Sequence, residues 1–159
     1  MIEWGTNIDA ADRTIYFYAA GEQPYGCFSN FPPHGFVLEG LWWPTSEHCF
    51  QAQKFAGTEY AERIRLAKSP VIAARLGRSR KQPLRPDWDT VKDDVMRVAV
   101  CAKFNAHPAI RDVLLSTGDA ALVESAPHDY YWGCGADGTG RNMLGRILME
   151  VRAWLRQER

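Results

Sequence analysis

The stretch Trp42-Trp43-Pro44-Thr45-Ser46-Glu47-His48-Cys49-Phe50-Gln51-Ala52-Gln53-Lys54-Phe55 limits what this chain can become more than any other part of it. Pro44 and Thr45 read as the end of an extended segment and a helix N-cap, because a threonine hydroxyl can accept the unpaired N–H groups of a first turn. Glu47 then falls where the positive end of the helix dipole favours a carboxylate, and the helix is predicted to begin at Ser46. At 3.6 residues per turn, Glu47, Phe50, Gln51 and Lys54 share one face, with Cys49, Ala52 and Phe55 beside or behind it. An acid, an amide and an amine therefore form one stripe among Trp42, Trp43, Phe50 and Phe55. Such surroundings imply partial burial, and buried ionisable groups need a partner or a task. His48 points about 100° away from Glu47 and is assigned a structural role.

The 159 residues are 46% hydrophobic and 12% aromatic, which supports one core and leaves no room for a second domain. Residues 1–13 show no periodicity and read as a loosely ordered leader to a single domain over 14–159. Lys plus Arg and Asp plus Glu balance at 19 each, so no overall field draws the chain to nucleic acid or an anionic membrane. The apolar runs are too short to span a bilayer, and Met1-Ile2-Glu3-Trp4-Gly5 has no basic region followed by an apolar one; the expected location is cytoplasmic. Cys27, Cys49, Cys101 and Cys134 form no Cys-x-x-Cys pair, which argues against a zinc site and a disulfide framework and for free thiols.

In chain order, Thr14 to Ala19 reads as a short strand. Gly21 to Pro33 is a loop by its Gly, Pro and Asn content, yet it carries Tyr25, Phe28, Asn30 and Phe31. It either folds over the core or forms the rim of a site for a flat aromatic ligand. Phe36-Val37-Leu38, Glu39-Gly40 and Leu41-Trp42-Trp43 read as a β-hairpin leading into the helix at Ser46. Thr58 caps a helix through Lys68, and Ser69-Pro70 opens a short helix that Gly77 closes. Arg75, Arg78, Arg80, Lys81 and Arg85 then form a basic cluster, read as a solvated surface or as a phosphate or nucleic-acid contact. Asp87 opens a helix with Val91, Val95, Val98 and Ala102 as its expected buried stripe, and His107-Pro108 opens another through Leu115. Trp88 is a core anchor or a stacking surface.

Leu122-Val123-Glu124 marks a short strand. After it come Asp129, Trp132, and a loop containing Gly133, Gly135, Gly138 and Gly140, followed by a helix with the apolar stripe Leu144, Ile147, Leu148, Val151 and Leu155. A glycine-rich loop entering a helix N-terminus can cradle a phosphate. The context excludes the familiar versions: no long apolar strand of a βαβ unit precedes the loop, and Gly-x-x-x-x-Gly-Lys-[Ser/Thr] is absent.

Phe28-Ser29-Asn30-Phe31, Trp43 to His48 with Gln51 to Phe55, Ala102-Lys103-Phe104, and Asp129-x-x-Trp132-Gly133-x-Gly135 through Gly140-x-Asn142-x-Leu144-Gly145 together resemble the NADAR family, whose bacterial single-domain members are the YbiA-like proteins. The resemblance covers nearly the whole chain. It implies an α+β fold, predominantly helical, with a small N-terminal β-hairpin or sheet, and cleavage of N-glycosidic bonds. For YbiA-like members the implied substrates are early ribosylamino-pyrimidine phosphates of riboflavin biosynthesis; other members act on ADP-ribose joined to a nucleobase. Cys49 stands where relatives often carry an aromatic, a departure expected to widen the pocket.

Breaking a ribose C1–N bond passes through an oxocarbenium-like state. A site therefore needs a carboxylate near C1, proton delivery to the leaving base, and a surface for sugar phosphate and ring. Glu47 and Asp129 can share charge stabilisation and water activation. Lys54, if burial lowers its pKa, can attack C1 of the ring-opened sugar as an amine; otherwise it balances Glu47 across two helical turns. Asn30, Gln51 and Asn142 can position hydroxyls or base edges, and Trp88 and Trp132 can stack on a ring. Phe28 and the glycines Gly133, Gly135, Gly138 and Gly140 complete the expected binding set. No metal or cofactor is expected. The partner is a small ribosyl phosphate or ADP-ribosyl compound, with nucleic acid entering only as an ADP-ribosylated substrate. A module that binds ADP-ribose without cleaving it is the alternative class, and an RNA contact through the basic cluster fits the neutral net charge less well.

Overall fold

A computed structural model describes residues 13–158; the expected leader lies almost wholly outside the described residues. Thr45 has extended backbone and its hydroxyl oxygen accepts the His48 amide at 3.1 Å, opening helix α1 (Ser46–Gln53). Ahead of it, β2 (Phe36–Leu38) and β3 (Leu41–Trp43) form an antiparallel hairpin. Its turn residues Glu39 (φ 51°) and Gly40 (φ 79°) both lie in the left-handed region, the geometry a two-residue hairpin turn needs. Phe36 pairs with Trp43 and both are buried, whereas Val37 and Trp42 face outward.

The remaining helices are α2 (Glu59–Arg65), α3 (Pro70–Gly77), α4 (Trp88–Ala106), α5 (Pro108–Ser116) and α6 (Met143–Gln157). Thr58 and Ser69 cap α2 and α3 through their hydroxyl oxygens. Helix α2 ends at Arg65, three residues before the expected end at Lys68. Strand β1 (Thr14–Phe17) stops short of Ala19 and pairs in parallel with β4 (Ala121–Glu124), in the register Ile15 to Leu122 and Phe17 to Glu124. The fold is thus α+β and mostly helical, with two separate two-stranded sheets among the described residues.

Two apolar clusters make the core. The larger joins Phe17, Phe28, Phe50, Phe104, Leu122 and the α6 stripe Leu144, Ile147, Leu148, Val151 and Leu155. The smaller joins Phe36, Trp43, Cys49, Ala52, Phe55, Ile64, Ala73 and Ala99. Helix α1 belongs to both and packs against α2, α3 and α4, so every residue from Ser46 to Ala52 is buried. His48 is held structurally, its Nδ1 2.8 Å from the Thr45 hydroxyl and its Nε2 2.9 Å from the Ala67 carbonyl. Cys49 faces the smaller cluster, where burial pushes its thiol up to about 12; it does not widen the ligand cavity.

The expected stripe on α4 needs correction. Val98 is 49% exposed, and the buried positions are Trp88, Met96, Ala99, Val100, Lys103 and Phe104. From Met96 onward these follow the i, i+3, i+4, i+7, i+8 spacing of one wide face. Alanine and lysine at two of those places conceal it from a reading that counts valines. The Lys103 amine is completely enclosed and donates to the carbonyls of Cys27 (2.6 Å) and Ser29 (2.7 Å), tying down the loop ahead of the hairpin. Within that loop Phe28 is core, whereas Asn30 and Phe31 reach the cavity described next.

Candidate active site

Helix α1, the end of α3, the first half of α4, the Ser29–Phe31 loop and the segment from Glu124 to Trp132 enclose a cavity of about 750 Å³. That volume suits a nucleotide-sized ligand. Asn30, Glu47, Gln51, Lys54, Trp88, Asp129 and Trp132, all named from the sequence, line it together.

On α1, one helical turn brings the Gln51 Nε2 to donate to Glu47 Oε1 at 2.8 Å. Gly77 makes room for this arrangement, since a Cβ there would overlap the Gln51 side chain. Burial raises the Glu47 carboxyl above the usual range; the Gln51 hydrogen bond and the charges of Arg78 and Lys54 pull it back, and Asp129 pushes it up again. Lys54, at the C-cap of α1, donates to the Gly77 carbonyl at 3.3 Å. Its Nζ lies 5.6 Å from the Phe50 ring centre and 6.0 Å from that of Trp88. Burial lowers its pKa; the Glu47 carboxylate opposes the shift and Arg78 adds to it. The amine is thereby moved towards the form that can act as a nucleophile.

Phe50, Trp88 and Trp132 build an aromatic wall, with ring centres 5.2 Å apart for Phe50 and Trp88 and 5.1 Å for Phe50 and Trp132. Asp129 is oriented by its own turn: Oδ1 accepts the amides of Tyr131 (3.0 Å) and Trp132 (2.7 Å). Asn30 accepts from the Ser46 hydroxyl at 2.8 Å, which couples the loop to the start of α1.

Several expected binding residues lie elsewhere. Phe28 is buried in the larger core cluster, and Gly133, Gly135, Gly138, Gly140 and Asn142 do not line the cavity. The amides at the end of the loop and the start of the helix are already engaged: Gly140 donates to Cys134 O (2.7 Å), Asn142 to Gly133 O (3.0 Å), Met143 to Tyr131 O (2.9 Å) and Leu144 to Trp132 O (3.1 Å). The N-terminus of α6 thus has its first N–H groups paired with backbone, which corrects the phosphate-cradle expectation. Asn142, in the left-handed region, uses its amide to bridge Leu122 O (2.8 Å) and Glu124 N (2.9 Å).

The cavity also contains Arg78, from the basic cluster, and three residues not expected there from the sequence: Lys92, Glu124 and Tyr131. Arg78 belongs to the basic cluster read as a solvated surface or a phosphate contact; it is exposed, yet its place at the C-cap of α3, packed on α1, sets it at the edge of the cavity. The signal for Glu124 was present. Strand alternation puts it on the same side as buried Leu122. Among the described residues, no group of His, Cys, Asp or Glu is arranged to hold a metal ion.

A polar stripe on a buried helix, carboxylates from a second segment and an aromatic wall define a domain class, and the NADAR domain model matches residues 16–156. The chain belongs to the NADAR domain family. An N-glycosidase of Nostoc punctiforme is 53% identical over 146 residues, covering 90% of this chain and 93% of that protein. The N-glycosidase YbiA of Escherichia coli is 49% identical over 148 residues, 93% of this chain and 92% of that protein. The NMR structure of E. coli YbiA superposes with a TM-score of 0.86 at 50% identity, covering 92% of this chain and 87% of that one. A chloroplastic riboflavin biosynthesis protein of Zea mays, PYRR, is 43% identical over 144 residues, 81% of this chain and 23% of its own length.

Proposed function

We propose that this chain hydrolyses the C1–N bond of ribosylamino-pyrimidine phosphates and releases ribose 5-phosphate. It is a hydrolase acting on N-glycosyl bonds, the class named for relatives about half identical over most of its length. The substrate reading draws support from the riboflavin biosynthesis name of the maize relative. The single observation that carries it is the gathering of Glu47, Asp129 and Lys54 around one aromatic-walled cavity.

In this reading the pyrimidine stacks against Trp88 and Trp132, and Arg78 and Lys92 attract the phosphate, taking over the task expected of the glycine loop. Glu47, oriented by Gln51, stabilises positive charge as it develops at C1. Asp129, fixed by two backbone amides, takes the proton of the attacking water. On the covalent route Lys54 instead attacks C1 of the opened sugar first, as a neutral amine favoured by the lowering of its pKa, and the water activated by Asp129 then hydrolyses the Lys54 imine.

The test is direct. Purified protein mixed with a ribosylamino-pyrimidine phosphate is expected to release free ribose 5-phosphate. Tight binding without release would identify a binding module instead, and release only from an ADP-ribosylated nucleobase would move the substrate to that class.

A further inference from the structure

We propose that Glu124 is the general acid of this site, giving its carboxyl proton to the departing nitrogen as the C1–N bond breaks. The inference rests on the N-glycosidase reading and supplies the proton donor which Glu47, Asp129 and Lys54 leave unassigned.

Position comes first. Glu124 ends β4 and lines the cavity together with Glu47, Gln51 and Lys54. The backbone on both sides of its side chain is clamped by the glycine loop: its N–H donates to Asn142 Oδ1 at 2.9 Å and its carbonyl accepts the Cys134 amide at 2.8 Å. Across the sheet it pairs in register with Phe17. The loop that looked like a ligand cradle is thus the mounting for this one carboxyl.

Protonation state follows from the neighbours. Sharing the cavity are Glu47 and Lys54 from α1, Arg78 after α3, Lys92 from α4, and His128, Asp129 and Tyr131 from the following loop. Repulsion from Asp129 and Glu47 acts on Glu124 and favours a proton kept on its carboxyl. Burial raises Glu47 as well, but there the Gln51 hydrogen bond and the charges of Arg78 and Lys54 oppose it; Asp129 Oδ1 accepts two backbone amides. Glu124 Oε2 is buried with no hydrogen-bond partner. An oxygen without a donor is the natural place for a retained proton. Burial, with the charges of Asp129 and Glu47 behind it, accordingly pushes Glu124 up to about 7.

The step balances. The Glu124 O–H bond breaks and its proton goes to the leaving nitrogen, which keeps the C1–N electron pair. Water adds to C1, either at once or to the imine that Lys54 has formed there and from which the amine then departs, and loses a proton to the Asp129 carboxylate. The products are a sugar with a hydroxyl at C1 and a free amine, and solvent returns the proton from Asp129 to Glu124.

Two measurements on Glu124→Gln test the proposal. Infrared difference spectroscopy of the free protein is expected to show a protonated-carboxyl band that titrates near pH 7 and is missing from the variant. In turnover, kcat/KM on the ribosylamino-pyrimidine phosphate should fall about 10²-fold or more near pH 6, by the usual worth of a general acid. The wild-type profile should decline above about pH 7, and that limb should vanish in the variant. A Glu124 carboxyl that is already ionised at pH 6 overturns the proposal whatever the substrate is. A variant that keeps the wild-type alkaline limb overturns it too, because a merely structural role leaves the limb in place. Absence of turnover by the wild type would overturn the substrate reading, and the infrared titration would still decide the state of Glu124.

Discussion

Helix α1 and the glycine loop before α6 both carry polar, site-like sequence, yet they use their polar groups in different ways. On α1 the backbone is satisfied by the helix and by Thr45, so the side chains of Glu47, Gln51 and Lys54 are available to a ligand. In the loop the backbone amides bond to one another and to the ends of neighbouring segments, and Asn142 bonds to β4. Glycine there serves close packing rather than anion binding: a Cβ on Gly140 would overlap the backbone of Gly133 and Cys134. A motif that touches no ligand can still govern chemistry, provided that it places a residue which does.

The largest effect is expected on α1. Glu47→Gln keeps the shape of the side chain and removes its charge, so turnover should fall about 10²-fold or more with ligand binding and melting temperature near wild type. Near-normal turnover would take Glu47 out of the chemistry and remove the contrast between the two regions.

Lys54→Arg is the next test. A guanidinium stays protonated and cannot attack C1, so the variant should be inactive, and borohydride added to the turning-over wild type should leave a ribose adduct on the peptide containing Lys54. Substantial turnover by the variant, with no adduct on the active wild type, would restrict Lys54 to an electrostatic role.

Asn142→Ala tests the loop as a mounting. The substitution strips partners from Leu122 O and Glu124 N, at about 1–3 kcal/mol for each group left buried and unpaired. It also puts alanine at φ 52°. The melting temperature should drop and kcat should fall as Glu124 shifts, with KM changing less than kcat. A rise in KM alone would return Asn142 to the ligand.

Gly138→Val should have the smallest effect. Gly138 has φ 78° and nothing within 4 Å of an added Cβ, so the branched side chain meets strain but no obstacle. Stability should fall by about 1–2 kcal/mol while KM stays within a factor of about two, well under 1 kcal/mol of binding. A several-fold increase in KM would put the phosphate against the loop after all.

Local chemistry made much of this protein readable. The caps Thr45, Thr58 and Ser69, the Glu39-Gly40 turn and the α6 stripe each depend on neighbours a few residues away, and each was placed from the sequence. The polar stripe on α1 was legible for the same reason, because one helix carries it. Tertiary structure decided what depends on distant segments: the parallel pairing of β1 with β4 across about a hundred residues of chain, and the place of Arg78 beside the cavity. It also decided the enclosure of Lys103 beneath two loop carbonyls and the use of the glycine loop to hold Glu124. Residue type and spacing specify which hydrogen bonds a segment can make with itself. Whether a free N–H, a lysine or a carboxylate meets backbone, solvent or ligand depends on which surfaces the rest of the chain brings against it.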